Sequence, residues 1–243
     1  MTLYLTGLGL SDEKSISLKG LKKIKSSKEV YLENYTSLLQ CPAGDLENFY
    51  GKKIMPADRS LIEGDSKEII KKAKKENISI LIPGDVFSAT THISLFQEAK
   101  KNNVPVEVIN NASILTAVGI TGLEIYKFGK TASIPFENKN VESPIKILKD
   151  NLKINAHTLF LLDLNPEENK YLSIREAILY LGKNNIKEMV VGCARLGSEN
   201  FVVKYGSMDE IKNANFGKGP YCLIVPAKKL HFIEEEVLEK WKI

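Results

Sequence analysis

The first hundred or so residues repeat one pattern: a short, near-continuous apolar run, an amphipathic stretch, then another apolar run. The runs cover residues 3–8, 30–33, 78–82 and 106–109, with helical patterns at 66–75 and 88–101 between them. A strand that is apolar on both faces must be covered on both faces. The pattern therefore predicts a parallel sheet sandwiched between crossover helices, an α/β domain.

A second series of candidate strands follows the glycine-containing stretch 117–129, at 131–134, 158–163, 189–194, 201–205 and 221–225. The interval between 189–194 and 201–205 is too short for a crossover helix, so antiparallel pairs should be mixed into this sheet. Helix starts are well marked: Ser143 reads as a cap followed by Pro144 at the first helical position, and Ser173 with Glu176 as a capping box. The expected division is an N-terminal α/β domain over 1–129 and a C-terminal α/β domain over 130–243.

Composition narrows the class. The apolar opening segment reaches Ser11, Asp12 and Glu13 too soon for a span of about 20 residues. Three cysteines with no C-x-x-C pair suggest neither a disulfide framework nor a zinc site, which suits a cytoplasmic protein. A net charge of +4, with Lys and Arg interleaved among Asp and Glu, is small for a chain that grips phosphate backbones, so no direct nucleic-acid binding is expected. The three isolated histidines imply no metal site.

In open α/β sheets, ligands bind beyond the carboxyl ends of the strands. Gly7-Leu8-Gly9-Leu10 ends the first run and is either a simple strand-to-loop turn or a place where a ligand approaches the main chain. Asp12 stands where a third glycine would complete a dinucleotide fingerprint, so that site is not supported. Pro83-Gly84-Asp85 ends the run at 78–82, and Asp85 either caps the following helix or binds a ligand group. Ser113 opens a stretch of small residues, where capping and close approach of a ligand are compatible.

Each of these motifs is short, and their order carries the information. Gly-x-Gly-Leu, Tyr35-Thr36-Ser37, Pro-Gly-Asp, the Ala-Thr-Thr-His at 89–92, the segment from Ser113 to Gly129, and Arg195-x-Gly197-Ser198 together resemble the diphthine synthase family of archaeal type, within the tetrapyrrole-methylase-like methyltransferases. The resemblance extends over nearly the whole chain. It implies a homodimer that binds S-adenosylmethionine in a cleft between the two α/β domains. It also implies trimethylation of the amino group of a 3-amino-3-carboxypropyl-histidine in elongation factor 2, giving diphthine. Carried over motif by motif, the cofactor contacts fall on Leu10, Asp85, Ser88, Ser113, Ile114, Leu162, Leu196 and Tyr221. The chain departs from the family pattern in three places: Val86 where proline is common after Asp85, Tyr221 where relatives often carry histidine, and a shortened segment between Asn185 and Met189. A tetrapyrrole or ribosomal RNA methyltransferase of the same superfamily, or a non-catalytic binding module, are the alternatives.

Methyl transfer from a sulfonium to an amine requires alignment of two centres more than proton transfer. An α-amino group titrates near about 7.7–8.0, so an appreciable fraction is neutral near pH 7 and no catalytic base is named. Lys127 and Arg195 are the candidates for holding the substrate carboxylate. His92 is either a packed helix residue or a catalytic one, and His157 and His231 read as the starts of a strand and of the last helix. Tyr35 and Thr36 either line the substrate side or form a turn, and Trp241 is a packing anchor.

Overall fold

The computed structural model describes every residue except Asp65, Ala89, Thr90, Glu167, Asn169 and the side chain of Glu63. Of the motif at 89–92, Ala89 and Thr90 thus lie outside the described residues. Internal contacts gather the chain into two units, Met1–Leu115 and Thr116–Ile243.

The first unit holds β1 (Leu3–Gly7), β2 (Glu29–Glu33), β3 (Met55–Ala57), β4 (Ile78–Ile82) and β5 (Val106–Ile109), with α1 (Leu18–Ser26), α2 (Ala43–Tyr50), α3 (Lys67–Ala73) and α4 (Ile93–Lys101). Its sheet runs β3-β2-β4-β1-β5, and every pairing is parallel, as the apolar runs predict. The two-residue period of a strand divides β4 between two cores. Ile78, Ile80 and Ile82 pack with Ile69, Ile70 and Ala73 of α3 and Leu95 and Ala99 of α4. On the other face, Leu81 joins Ile24 of α1 and Leu46 and Tyr50 of α2. Full burial of each isoleucine contributes about 1.5–3 kcal/mol. Ser79, on the Leu81 face, is paired through its hydroxyl with that of Ser27 at 2.8 Å.

The short α5 (Ile114–Ala117) leads from the first unit into the second, which contains β6 (Ala132–Ile134), α6 (Ser143–Lys153), β7 (Thr158–Leu162), β8 (Leu164–Asn165), β9 (Lys170–Tyr171), α7 (Ile174–Lys183), β10 (Val190–Ala194), β11 (Val202–Gly206), α8 (Met208–Asn213), β12 (Tyr221–Val225) and α9 (Phe232–Lys240). The sheet order is β11-β10-β12-β7-β6, with β6–β7 parallel and the other pairs antiparallel. This is the expected mixed sheet. Phe160, Leu223, Val190 and Ala194 pack on Leu148 of α6, Ile178 and Leu181 of α7, and Ile211 of α8.

The cap signals at α6 and α7 hold to within a residue. The Ser173–Glu176 capping box is present in full at α7. At α6 the cap is Glu142, and Ser143 is already the first helical residue ahead of Pro144. The helix expected from residue 88 begins at Ile93. α7 ends in a Schellman turn: Asn185 adopts φ 61°, its N–H donates to Gly182 O (3.0 Å), and the Ile186 N–H donates to Leu181 O (3.2 Å).

The division between the units falls earlier than Gly129, because residues 116–129 are held by the end of the chain. A β-carbon on Gly122, at φ 89°, would lie 2.3 Å from a Val237 methyl carbon of α9. The Glu124 N–H donates to Glu234 of α9 at 3.0 Å, and the Gly129 N–H to His157 O at 2.9 Å. The glycines of this stretch are points of close packing.

Candidate functional site

In the first unit, the segments leaving β1, β4 and β5 are sewn together by main chain and amides. The Gly9 N–H donates to Gly84 O (3.1 Å) and the Gly84 N–H to Gly9 O (2.7 Å). Gly7 must lack a side chain, since a β-carbon there would sit 2.7 Å from Gly84 O. Gly84 differs. It adopts φ 81°, and a β-carbon on it would meet nothing nearer than Leu10 Cδ2 at 3.8 Å and Ala112 O at 3.9 Å. A β-carbon at Gly84 would thus make only ordinary contacts where one at Gly7 would clash, so the three segments leave room for a small group at Gly84.

Asp85 holds this arrangement in place. One carboxylate oxygen accepts from the Phe87 N–H and the Ser88 hydroxyl, both at 3.2 Å. The other accepts from Asn110 Nδ2 and the Asn111 N–H, both at 3.0 Å. Partial burial pushes the carboxyl pKa up, but these four donors outweigh it and keep the group below its usual value. Asp85 is thus a clamp between the β4 and β5 exits and does not cap α4. Asn111 completes the clamp by donating through Nδ2 to Gly7 O and Ser15 O, each at 3.0 Å. Its two long-range acceptors were not visible in the sequence. Val86, the departure from proline, is fully buried in the core and anchors the turn by packing. Ser113 is buried, and Leu10, Ser88 and Ile114 are half-buried along the same strand exits.

In the second unit, Leu162, Leu196 and Tyr221 meet at one end of the sheet. Cys222 is paired with Leu161 and Ala194 with Tyr221, so the end of β7, the exit of β10 and the start of β12 coincide. The Tyr221 hydroxyl donates to Gly217 O, and its ring meets Tyr171 edge-on at 6.1 Å.

The two cations proposed for the substrate carboxylate have internal partners. The Lys127 ammonium donates to Glu234 Oε2 (2.6 Å) and Lys229 O (2.9 Å). Arg195, at φ 52°, donates to Asn200 O, Phe216 O and Lys218 O and so fastens the loop before β12. Lys127 belongs to a buried network. Glu234 and His157 are fully enclosed, with His157 Nε2 2.7 Å from Glu234 Oε1, while His157 Nδ1 accepts the Ala227 N–H at 2.9 Å. That acceptor role leaves Nε2 carrying the proton of a neutral ring. Desolvation lowers the His157 pKa despite Glu234. Burial works to raise that of Glu234, but Lys127, the Glu124 and His231 N–H groups and His157 bring it down to about 2.

Among the other expected residues, His92 is wholly buried at the start of α4, and its Nε2 lies 3.8 Å from the equally buried Glu33. His231 caps α9. Trp241 meets Phe201 edge-on at 6.2 Å, as a packing anchor would.

Comparison with known proteins gives a consistent set of likenesses. The family model described as Tetrapyrrole (Corrin/Porphyrin) Methylases matches residues 2–212. The diphthine synthase of Archaeoglobus fulgidus is 40% identical, covering 98% of this chain and 95% of the relative. The diphthine methyl ester synthase of Saccharomyces cerevisiae is 38% identical, covering 97% and 88%. A crystal structure of a diphthine synthase superposes with a TM-score of 0.94 at 39% identity, covering 100% of this chain and 96% of that one. A putative diphthine synthase from Entamoeba histolytica gives 0.89 at 37%, covering 100% and 98%.

Proposed function

The chain belongs to the diphthine synthase family of the tetrapyrrole methylases, and from that premise we propose how its residues serve an S-adenosylmethionine-dependent methyltransferase of diphthamide biosynthesis. Likeness over nearly the full length to diphthine synthases, at 40% identity, carries the reading and disfavours a tetrapyrrole or ribosomal RNA substrate. The acceptor is the 3-amino-3-carboxypropyl-histidine of elongation factor 2, methylated three times on its amino nitrogen.

The site fits the cofactor on a structural ground: the backbone at Gly84 leaves room for a small group, in ordinary contact with Leu10 Cδ2 (3.8 Å) and Ala112 O (3.9 Å). Leu10, Asp85, Ser88, Ser113, Ile114, Leu162, Leu196 and Tyr221 are the residues proposed to hold S-adenosylmethionine. When bound, it supplies a methyl group on a positively charged sulfur. The protein binds, orients and excludes water, and the Asp85–Asn111 clamp keeps the strand exits from relaxing when the cofactor leaves. No general base is required, because the acceptor amine is partly neutral near pH 7.

The protein is proposed to act in the cytoplasm as a homodimer. Among the described residues, no helix is long and apolar enough to cross a membrane. Tyr126 (85% exposed) and Phe232 (68%), with Ile125 and Ile233, form an apolar face where the Glu124–Glu234 hydrogen bond joins their segments. A second copy covers it. Tyr126→Glu should then shift the sedimenting species from dimer to monomer, and an unchanged dimer would remove this face from the interface.

The function is tested by mass spectrometry of precursor-bearing elongation factor 2 incubated with the protein and S-adenosylmethionine. Three methyl increments stable to mild alkali are expected, and none would sink the reading. Relatives named for a methyl ester are equally similar, at 39% in Arabidopsis thaliana and 38% in yeast. They favour a second reading in which the carboxylate is also methylated, marked by one further increment that alkali removes.

A further inference from the structure

The acceptor carries a carboxylate as well as the amine, so its subsite has to lie beside the cofactor cradle. The order β3-β2-β4-β1-β5 narrows the search. The segments leaving β4, β1 and β5 make the cofactor cradle, so the strand exits next to it are those of β2 and β3, beginning about 5 Å away by ordinary strand spacing. Glu33 of β2 is paired with Ala57 of β3. Two residues beyond that pair stand Tyr35 and Arg59, with the guanidinium 5.2 Å from the centre of the tyrosine ring. Arg59 is exposed and Tyr35 half-buried.

Tyr35 is held firmly. The buried Glu33 carboxylate accepts the N–H groups of Tyr35 (2.6 Å) and Thr36 (2.5 Å) and the Thr36 hydroxyl, and the His92 ring lies 6.2 Å from that of Tyr35. An aromatic face and a guanidinium brought together at this edge match the acceptor. Arginine offers a planar fork of donors suited to a carboxylate, and its face stacks on an aromatic ring while its edge binds. The acceptor side chain itself carries a carboxylate and an imidazole.

Resting on the function proposed above, we propose that the β2 and β3 exits form the acceptor subsite, in which Arg59 binds the carboxylate of the 3-amino-3-carboxypropyl group and the Tyr35 ring packs against the imidazole. Glu33 is a positioning residue that fixes Tyr35 through its backbone.

The test measures initial rates against precursor-bearing elongation factor 2, with S-adenosylmethionine binding followed by calorimetry for each variant. Arg59→Ala should raise the KM for the elongation factor about tenfold or more, the size of one lost charge-assisted pair. Cofactor affinity should stay within about twofold, a split that general destabilisation does not produce. Arg59→Lys should recover only part of the loss, because lysine lacks the fork. Tyr35→Leu, which removes the ring, should also raise KM. A wild-type KM in Arg59→Ala, with the parent enzyme active, overturns this subsite and leaves the function standing. A parent enzyme that adds no methyl groups overturns the function, and this assignment with it.

Discussion

Asp85 and Glu234 are both carboxylates held by at least four partners, and in both the partners outweigh desolvation to depress the pKa, yet their surroundings differ. Glu234 is fully buried, and its partners include a lysine, a histidine and two backbone N–H groups, all within the second unit. Asp85 is half-buried, is held by four uncharged donors, and ties together loops that leave room for a small group at Gly84. A carboxylate enclosed with a charged partner is a fastening of the fold. One that clamps main chain beside such room prepares a site. The comparison explains why charge alone is a poor guide here: Lys127 stood out in the sequence as a cation near an element end, and it serves the fastening.

The largest expected effect is at Glu234. Glu234→Ala leaves Lys127 and the buried His157 without their partner and should cost about 3–5 kcal/mol, read from the denaturant midpoint. A loss below about 1 kcal/mol would break the contrast, since an exposed ion pair is worth no more than that.

Changes at the clamp should be milder in stability and sharper in binding. Asp85→Ala removes the acceptor of four donors that solvent can partly satisfy, for a loss of about 1–3 kcal/mol. Gly84→Ala adds a methyl group at a positive φ beside Leu10 and Ala112, for about 1–2 kcal/mol. Both should weaken S-adenosylmethionine binding about tenfold or more in calorimetry. Wild-type affinity in Gly84→Ala would mean that the space is not the cofactor's.

A further effect is graded with pH. The folded pKa of Glu234 lies at about 2, below its ordinary 4.5, so its stabilisation is present above 4.5 and is lost as pH falls from there towards 2. His157 is also depressed from 6.5, so below that value the unfolded chain takes up a proton that the folded chain resists, and stability falls in the same direction. Acid unfolding should therefore begin below about 6.5 and steepen below about 4.5. In Glu234→Gln the steeper limb should shrink, and an unchanged limb would assign it to other carboxylates.

Much of the architecture was legible because it rests on local periodicity. Continuous apolar runs required a parallel sheet, short spacings required antiparallel pairs, and the Ser173–Glu176 box marked a helix start to the residue. The edge strand β3 escaped notice because it is three residues long and contains Pro56, which only an edge or strand end tolerates. The glycines and Asp85 were legible as candidates because strand exits in such folds are where ligands sit.

By itself the sequence determined the two α/β halves, the order of the motifs and the family to which they point. These follow from spacings within a few residues, where side-chain period and backbone preference act directly. The tertiary structure alone decided which polar groups are fastenings and which border the site. Lys127 meets Glu234 across 107 residues, and Asn111 reaches Gly7 across 104. Whether a charge is consumed or available depends on such partners, which chain separation hides and packing supplies.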